Sequence, residues 1–155
     1  MSTLTEARPE GASRVRRRAV AALGVGLLLT VATLVALVVD QVSAHGIADH
    51  VQALYGPFNL SPDPNVLFTI LYVTGVCGVA LWLATIWGAV RQKRGLAILA
   101  TVVFLAATSI GFLGLVVAEH GTRILPTLWG VLGLLPCLAG FVAVVLLWKP
   151  RKGGS

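Results

Sequence analysis

All three histidines of the chain stand close to carboxylates: His45 and His50 flank Asp49, and His120 follows Glu119. Imidazole and carboxylate together are suitable ligands for zinc or copper, and two facing imidazoles could hold haem iron axially. If the segment is helical, His45 and Asp49 share one face at i and i+4. The spacing nevertheless fits no strong metal signature. There is no HExxH and no CxxC, and no histidine lies inside an apolar run where a buried haem would want it. The plainer reading is that polar residues gather where the chain meets water. His45, Asp49, His50, Glu119 and His120 therefore remain candidates without an assigned metal, and no cofactor or catalytic residue is expected.

The two cysteines, Cys77 and Cys137, lie at similar distances from the starts of two apolar runs. A disulfide between those runs is geometrically conceivable. Neither residue belongs to a CxxC, and a thiol among aliphatic side chains behaves as a small packing residue. Packing is the favoured reading for both. The sequence also lacks a nucleophile elbow, a phosphate-binding loop and a selectivity-filter sequence.

The elements that carry these residues follow from composition. The chain has 155 residues, 57% hydrophobic and 12% charged, with a net charge of +6. A soluble domain has about twice that share of charged residues. Four stretches, 19–39, 64–90, 95–118 and 124–148, contain no Asp, Glu, Lys, Arg or His. At about 1.5 Å per residue, each can cross a hydrocarbon layer of about 30 Å. They show no two-residue alternation, so helices are expected rather than barrel strands. The fold class is all-α: a polytopic four-helix transmembrane bundle over 19–148 with a short outer amphipathic helix. Residues 1–18 read as a disordered basic N-terminus and 149–155 as a short tail.

Orientation comes from the cations. Arg8, Arg14, Arg16, Arg17, Arg18, Arg91, Lys93, Arg94, Lys149, Arg151 and Lys152 fall on one side of the spans, and Arg123 alone on the other. Both termini are therefore expected in the cytoplasm of a bacterial cell, with the chain in its inner membrane. Trp87, Trp129 and Trp148 fall near span ends, where indole favours the headgroup zone, whereas Trp82 lies deeper and reads as packing. Basic runs this short, without interleaved aromatics, argue against nucleic acid.

The connections sort themselves by length. Residues 91–94 and 119–123 are too short for anything but antiparallel hairpins. Gly121 suits a helix C-cap and Pro126 a first turn. The connection 40–63 is long, and Ile47, Val51, Leu54 and Tyr55 recur in it at helical spacing. That helix either continues the first span outward or bends near Gly46 to lie in the outer interface. Asp63 and Pro64 read as N-cap and first residue of the second span. An export signal cleaved after Val42-Ser43-Ala44 is a competing reading, but an apolar run of 21 residues exceeds the about 7–15 of a signal core.

Within the spans, Gly75, Gly78, Gly111, Gly114, Gly130, Gly133 and Gly140 permit close helix approach. Pro136 interrupts the fourth span. Thr30, Thr33, Thr74, Thr85, Thr101, Thr108 and Ser109 are expected to bond back to their own helices. No ionisable side chain lies in a span, which disfavours a proton-coupled transporter or pump.

The segments DHVQALYG (49–56), LWLATIWGAVRQKRG (81–95) and LLPCLAG (134–140) resemble small four-span membrane proteins of high-GC, actinobacterial-type bacteria over most of 30–148. That resemblance implies the architecture and no particular activity. The function expected from the sequence is a non-enzymatic accessory or interaction subunit that presents 40–63 as a recognition surface. Its partners would be the bilayer and another membrane protein or a second copy. A redox or ligand module at the outer face, holding metal, haem or quinone, is the alternative. A binder of lipid or another hydrophobic molecule, opening beside the kinked fourth span, is the third.

Overall fold

The computed structural model describes residues 10–58, 63–91, 95–119 and 122–148. Five helices follow one another: α1 (Glu10–Val39), α2 (Gly46–Tyr55), α3 (Pro64–Val90), α4 (Leu96–Val116) and α5 (Thr127–Trp148). Four of them, all but α2, are long and apolar enough to cross a membrane. The first begins well before the uncharged run, because Arg14 to Arg18 are good helix formers and simply extend it. The unstructured reading of 1–18 thus gives way to helix from Glu10. The first nine residues, His120, Gly121 and the tail 149–155 lie outside the described residues.

Each connection has a local cause. Asp63 caps α3 by accepting the Asn65 N–H at 2.9 Å, with Pro64 at the first position where a missing N–H costs nothing. The α3–α4 turn closes on Gly95, whose φ of 86° a side chain would strain. Between α4 and α5 the chain makes a two-residue antiparallel ribbon, pairing Ala118 with Arg123 and Glu119 with Thr122. The third span ends earlier than its apolar run because Val117 is already extended into this ribbon. Pro126 stands just before α5 and its carbonyl accepts from Gly130.

The four long helices form an antiparallel ring. Gly75 and Gly26 of neighbouring helices seat Leu34 and Trp82, which joins α1 to α3. Gly111 and Gly130 seat Leu134 and Leu115, which joins α4 to α5. In each case a Cβ on the glycine would overlap the side chain, so close approach is the reason for the residue. At one end the Trp148 indole N–H donates to Thr101 at 2.9 Å, tying the end of α5 to the start of α4. The most extensive contact is between α1 and α5, and the sparsest between neighbours is α3 with α4.

Two buried clusters close the ring. At the end carrying the arginines, Leu23 and Ala143 pack with Ala89, backed by Ile86 and Leu96. At the opposite end, Leu37, Phe68, Leu125 and Trp129 receive Ile47 and Val51 of α2. The amphipathic helix therefore folds back over the bundle, with Ile47, Val51 and Leu54 all buried. Trp129 is 8% exposed within this cluster, a core position rather than the headgroup position its place near a span end suggested.

The fold-back is set by a bend of unusual construction. After α1 the chain makes a π-helical turn (Asp40–Ala44), and His45 then adopts φ 53°, ψ 19° in the left-handed region. Asp40, itself 8% exposed, turns its carboxylate to the first turn of α2. Oδ1 accepts the Gly46 N–H at 3.1 Å and Oδ2 the Ile47 N–H at 3.0 Å. Two amide donors and the positive end of the helix offset the cost of burying the charge. Left-handed geometry costs a residue with a Cβ about 1 kcal/mol. His45→Gly is accordingly expected to raise the thermal midpoint of the purified protein; a fall would mean the imidazole's own contacts outweigh the strain.

Candidate functional site

Among the described residues, the candidates for a metal centre do not converge. His45 precedes α2 instead of lying on it, so it does not share a helical face with Asp49. Its Nδ1–H donates to the Ser43 carbonyl at 3.2 Å. His50 donates through Nε2–H to the carbonyl of Arg123 at 2.8 Å, pinning α2 to the ribbon. Asp49 is exposed. Glu119 enters only through its backbone pairing, and His120 is outside the described residues. Among the described residues no three His, Cys, Asp or Glu side chains converge.

The feature that does stand out lies inside the ring. Where α3 and α4 diverge, a cavity of about 600 Å³ runs along the bundle, walled by all four long helices. Its size falls within the about 300–1,000 Å³ usual for small-molecule sites. The lining is almost wholly Leu, Ile, Val, Ala, Gly and aromatic. Four threonines face it, and three of them return their hydroxyls to their own helices: Thr30 to Gly26, Thr33 to Leu29 and Thr85 to Leu81, at 2.8–2.9 Å. With those hydroxyls satisfied, the wall presents carbon.

Its ends and its side differ. The cluster under α2 closes one end and the Leu23–Ala89–Ala143 cluster the other. The side between α3 and α4 is open: Ile70 and Val73 of α3, and Ile110 and Leu113 of α4, line the cavity while remaining 54–58% exposed. The asymmetry extends to the helices themselves. The apolar windows of α1 and α5 are 22% and 28% buried inside the protein, those of α3 and α4 only 6% each.

Comparison with known proteins adds no second frame. No family model matches the chain, no curated protein matches it, and no solved structure matches its fold.

Three sequence features acquire a place here. Cys77 and Cys137 are both free thiols, and both line this cavity from α3 and α5. Cys137, buried, sits 4.0 Å from the Gly133 carbonyl. Pro136 also lines it, and having no N–H it leaves the Leu132 carbonyl without its usual helical partner. Trp82 crosses the bundle from α3: its indole covers Gly26 of α1, touches the site of Gly140 on α5, and donates Nε1–H to Thr30 Oγ1 at 3.0 Å. A packing role for Trp82 is legible in sequence, whereas its reach across three helices is not.

Apart from the thiols of Cys77 and Cys137, the lining carries no ionisable side chain. The arrangement offers an apolar volume reached from the side.

Proposed function

We propose that this is a multi-pass, non-enzymatic protein of the bacterial cytoplasmic membrane, with its arginine-bearing end in the cytoplasm, that holds the apolar part of a lipid or similar hydrophobic molecule inside its helix bundle. The observation that carries this reading is the carbon-lined cavity, closed at both aqueous ends and open laterally between α3 and α4. Water gains nothing in such a space, because an apolar void gives it no hydrogen-bond partners. A molecule already dissolved in the bilayer loses little by moving in. Arg14, Arg17 and Arg18 border a shallow basic groove at the end assigned to the cytoplasm, consistent with anionic headgroups there.

The test is direct. Protein extracted from its own membrane in mild detergent should carry a near-stoichiometric apolar molecule, seen in native mass spectrometry and identified after solvent extraction. Protein that stays monodisperse yet carries none, and that a photoactivatable lipid fails to label, would overturn the reading. A reporter fused after Trp148 is expected to signal from the cytoplasm; signal from outside would reverse the orientation.

The accessory-subunit reading keeps one supporting observation. Asp40, the His50–Arg123 bond and the Tyr72 hydroxyl donating to Gln41 at 2.8 Å fix α2, so its exposed residues Asp49, Gln52 and Ala53 are presented rigidly. Recovery of a stoichiometric protein partner in the same purification would favour it. The redox alternative has less behind it, since the His50 Nε2 is already engaged, and an optical spectrum with metal analysis would decide it.

A further inference from the structure

The lining of the cavity thins along its length. From Leu67 to Gly78, α3 contributes eight lining residues, but beyond Gly78 only Leu81, Trp82 and Thr85. Helices α3 and α4 meet where Leu96 packs against Gly88 beside their hairpin, and they diverge towards the α2 end. The exposed lining residues Ile70, Val73, Ile110 and Leu113 place the mouth in the half nearest α2, and the thinly lined part points towards the arginine-bearing end.

A plate of aromatic carbon crosses that thinly lined part. The Trp82 indole and the Phe104 ring both come within 3.3 Å of where a Cβ of Gly140 would stand, and the indole also fills the space over Gly26. Thr30 holds the indole by its N–H, and the Thr30 hydroxyl is itself anchored on the Gly26 carbonyl. One turn beyond the plate lies a last layer of lining residues, Leu23, Thr85, Ala100 and Val144. The indole thus stands as a fixed bar across the cavity, with lining residues on both sides of it.

We infer that the occupant is a single hydrocarbon chain that slides in sideways between α3 and α4, and that Trp82 sets the chain length accepted. This rests on the lipid-holding reading above. The shape excludes the other apolar occupant of a membrane, a partner's helix. A spanning helix is about 10 Å across and about 30 Å long, and needs a groove of constant width over the full height. Here the Trp82 indole and the Phe104 ring reach across the lumen and interrupt any such groove. A chain terminus is a methyl group that needs no polar partner, which suits a floor of indole and phenyl carbon. With the arginine end in the cytoplasm, the mouth opens to the outer leaflet.

The experiment uses the full-length protein in mild detergent and a graded series of saturated, diazirine-bearing fatty acids. Wild type is expected to show an optimum chain length in cross-linking yield. Trp82→Ala opens one further helical turn, about 5 Å, and should move that optimum longer by about four carbons. Trp82→Phe should move it the same way by less. Gly78→Leu provides the converse, since a Cβ at Gly78 meets only the Thr30 methyl at 3.5 Å. It raises the floor by a turn and should move the optimum shorter. If folded Trp82→Ala or Gly78→Leu protein keeps the wild-type optimum, Trp82 is not the ruler. If wild type is not labelled at any length, the lipid-holding reading itself fails, and recovery of a protein partner in place of lipid would point to the helix instead.

Discussion

Gly133→Phe is expected to abolish lipid retention, lowering probe cross-linking more than tenfold, while leaving the bundle intact. Gly133 lines the cavity, and a Cβ built there meets no atom within 4 Å. A ring at this position therefore grows into empty space. The helix should also gain about 0.5–1 kcal/mol from replacing glycine, plus dispersion contacts across the former void. The control is Gly130→Phe, one turn away on the same helix, where a Cβ would overlap the side chain of Leu115. That variant should separate α4 from α5 and elute as aggregate. Size-exclusion profiles and helical circular dichroism distinguish the two. A monodisperse Gly133→Phe protein that still cross-links at wild-type yield would mean the lipid sits elsewhere.

Asp40→Ala should release α2 from the bundle. Hydrogen bonds to a charged acceptor contribute about 1.5–3 kcal/mol, and the two Asp40 bonds are the N-terminal anchor of this helix. At 1.4 kcal/mol per factor of ten, losing both should accelerate amide exchange across Gly46–Tyr55 by about 100-fold or more. Asp40→Asn retains one acceptor oxygen and should fall between. Exchange measured by mass spectrometry, with peptides from α3 and α5 as internal references, reads the effect. Unchanged protection in Asp40→Ala would show that the buried stripe of Ile47, Val51 and Leu54 holds α2 unaided.

Much of the architecture was legible in the sequence because it rests on what is missing. Uninterrupted absence of charge located the four long helices, and Asp63-Pro64 placed the start of α3 to the residue. The stripe on α2 was visible because it is amphipathic, with Asp49 and Gln52 opposite Ile47 and Val51. The cavity was not visible, for the same physical reason in reverse. Helices α3, α4 and α5 are apolar all round, so nothing in their composition says which face turns inward. Helix rotation there is decided by shape, such as Leu34 against Gly75 or Leu115 against Gly130. The lateral opening consequently lies between the second and third spans, not beside the proline-bearing fourth.

The polar end is harder to read from sequence. Asp40 counts in sequence as one more acidic residue at a span end, and its partners are backbone amides six and seven positions on, which no side-chain pattern announces. A glycine following a histidine that must turn left-handed was the available signal. His45 and Asp49 looked like a helical pair only while the helix was assumed to run through them, and the bend at His45 removes the premise. Trp129 was assigned to the headgroup zone by its position near a span end, before α2 was known to cover it.

Helix α1 finds its broadest contact on α5, the helix farthest from it along the chain. During biosynthesis, α1 must wait in the bilayer until the ribosome has delivered every other span before the ring can close. A nascent chain halted before Thr127 thus exposes the α1 surface that carries Leu23 and Leu37, where quality-control proteases that sample single helices would find it. Delivery of α5 and closure of the ring become the same event.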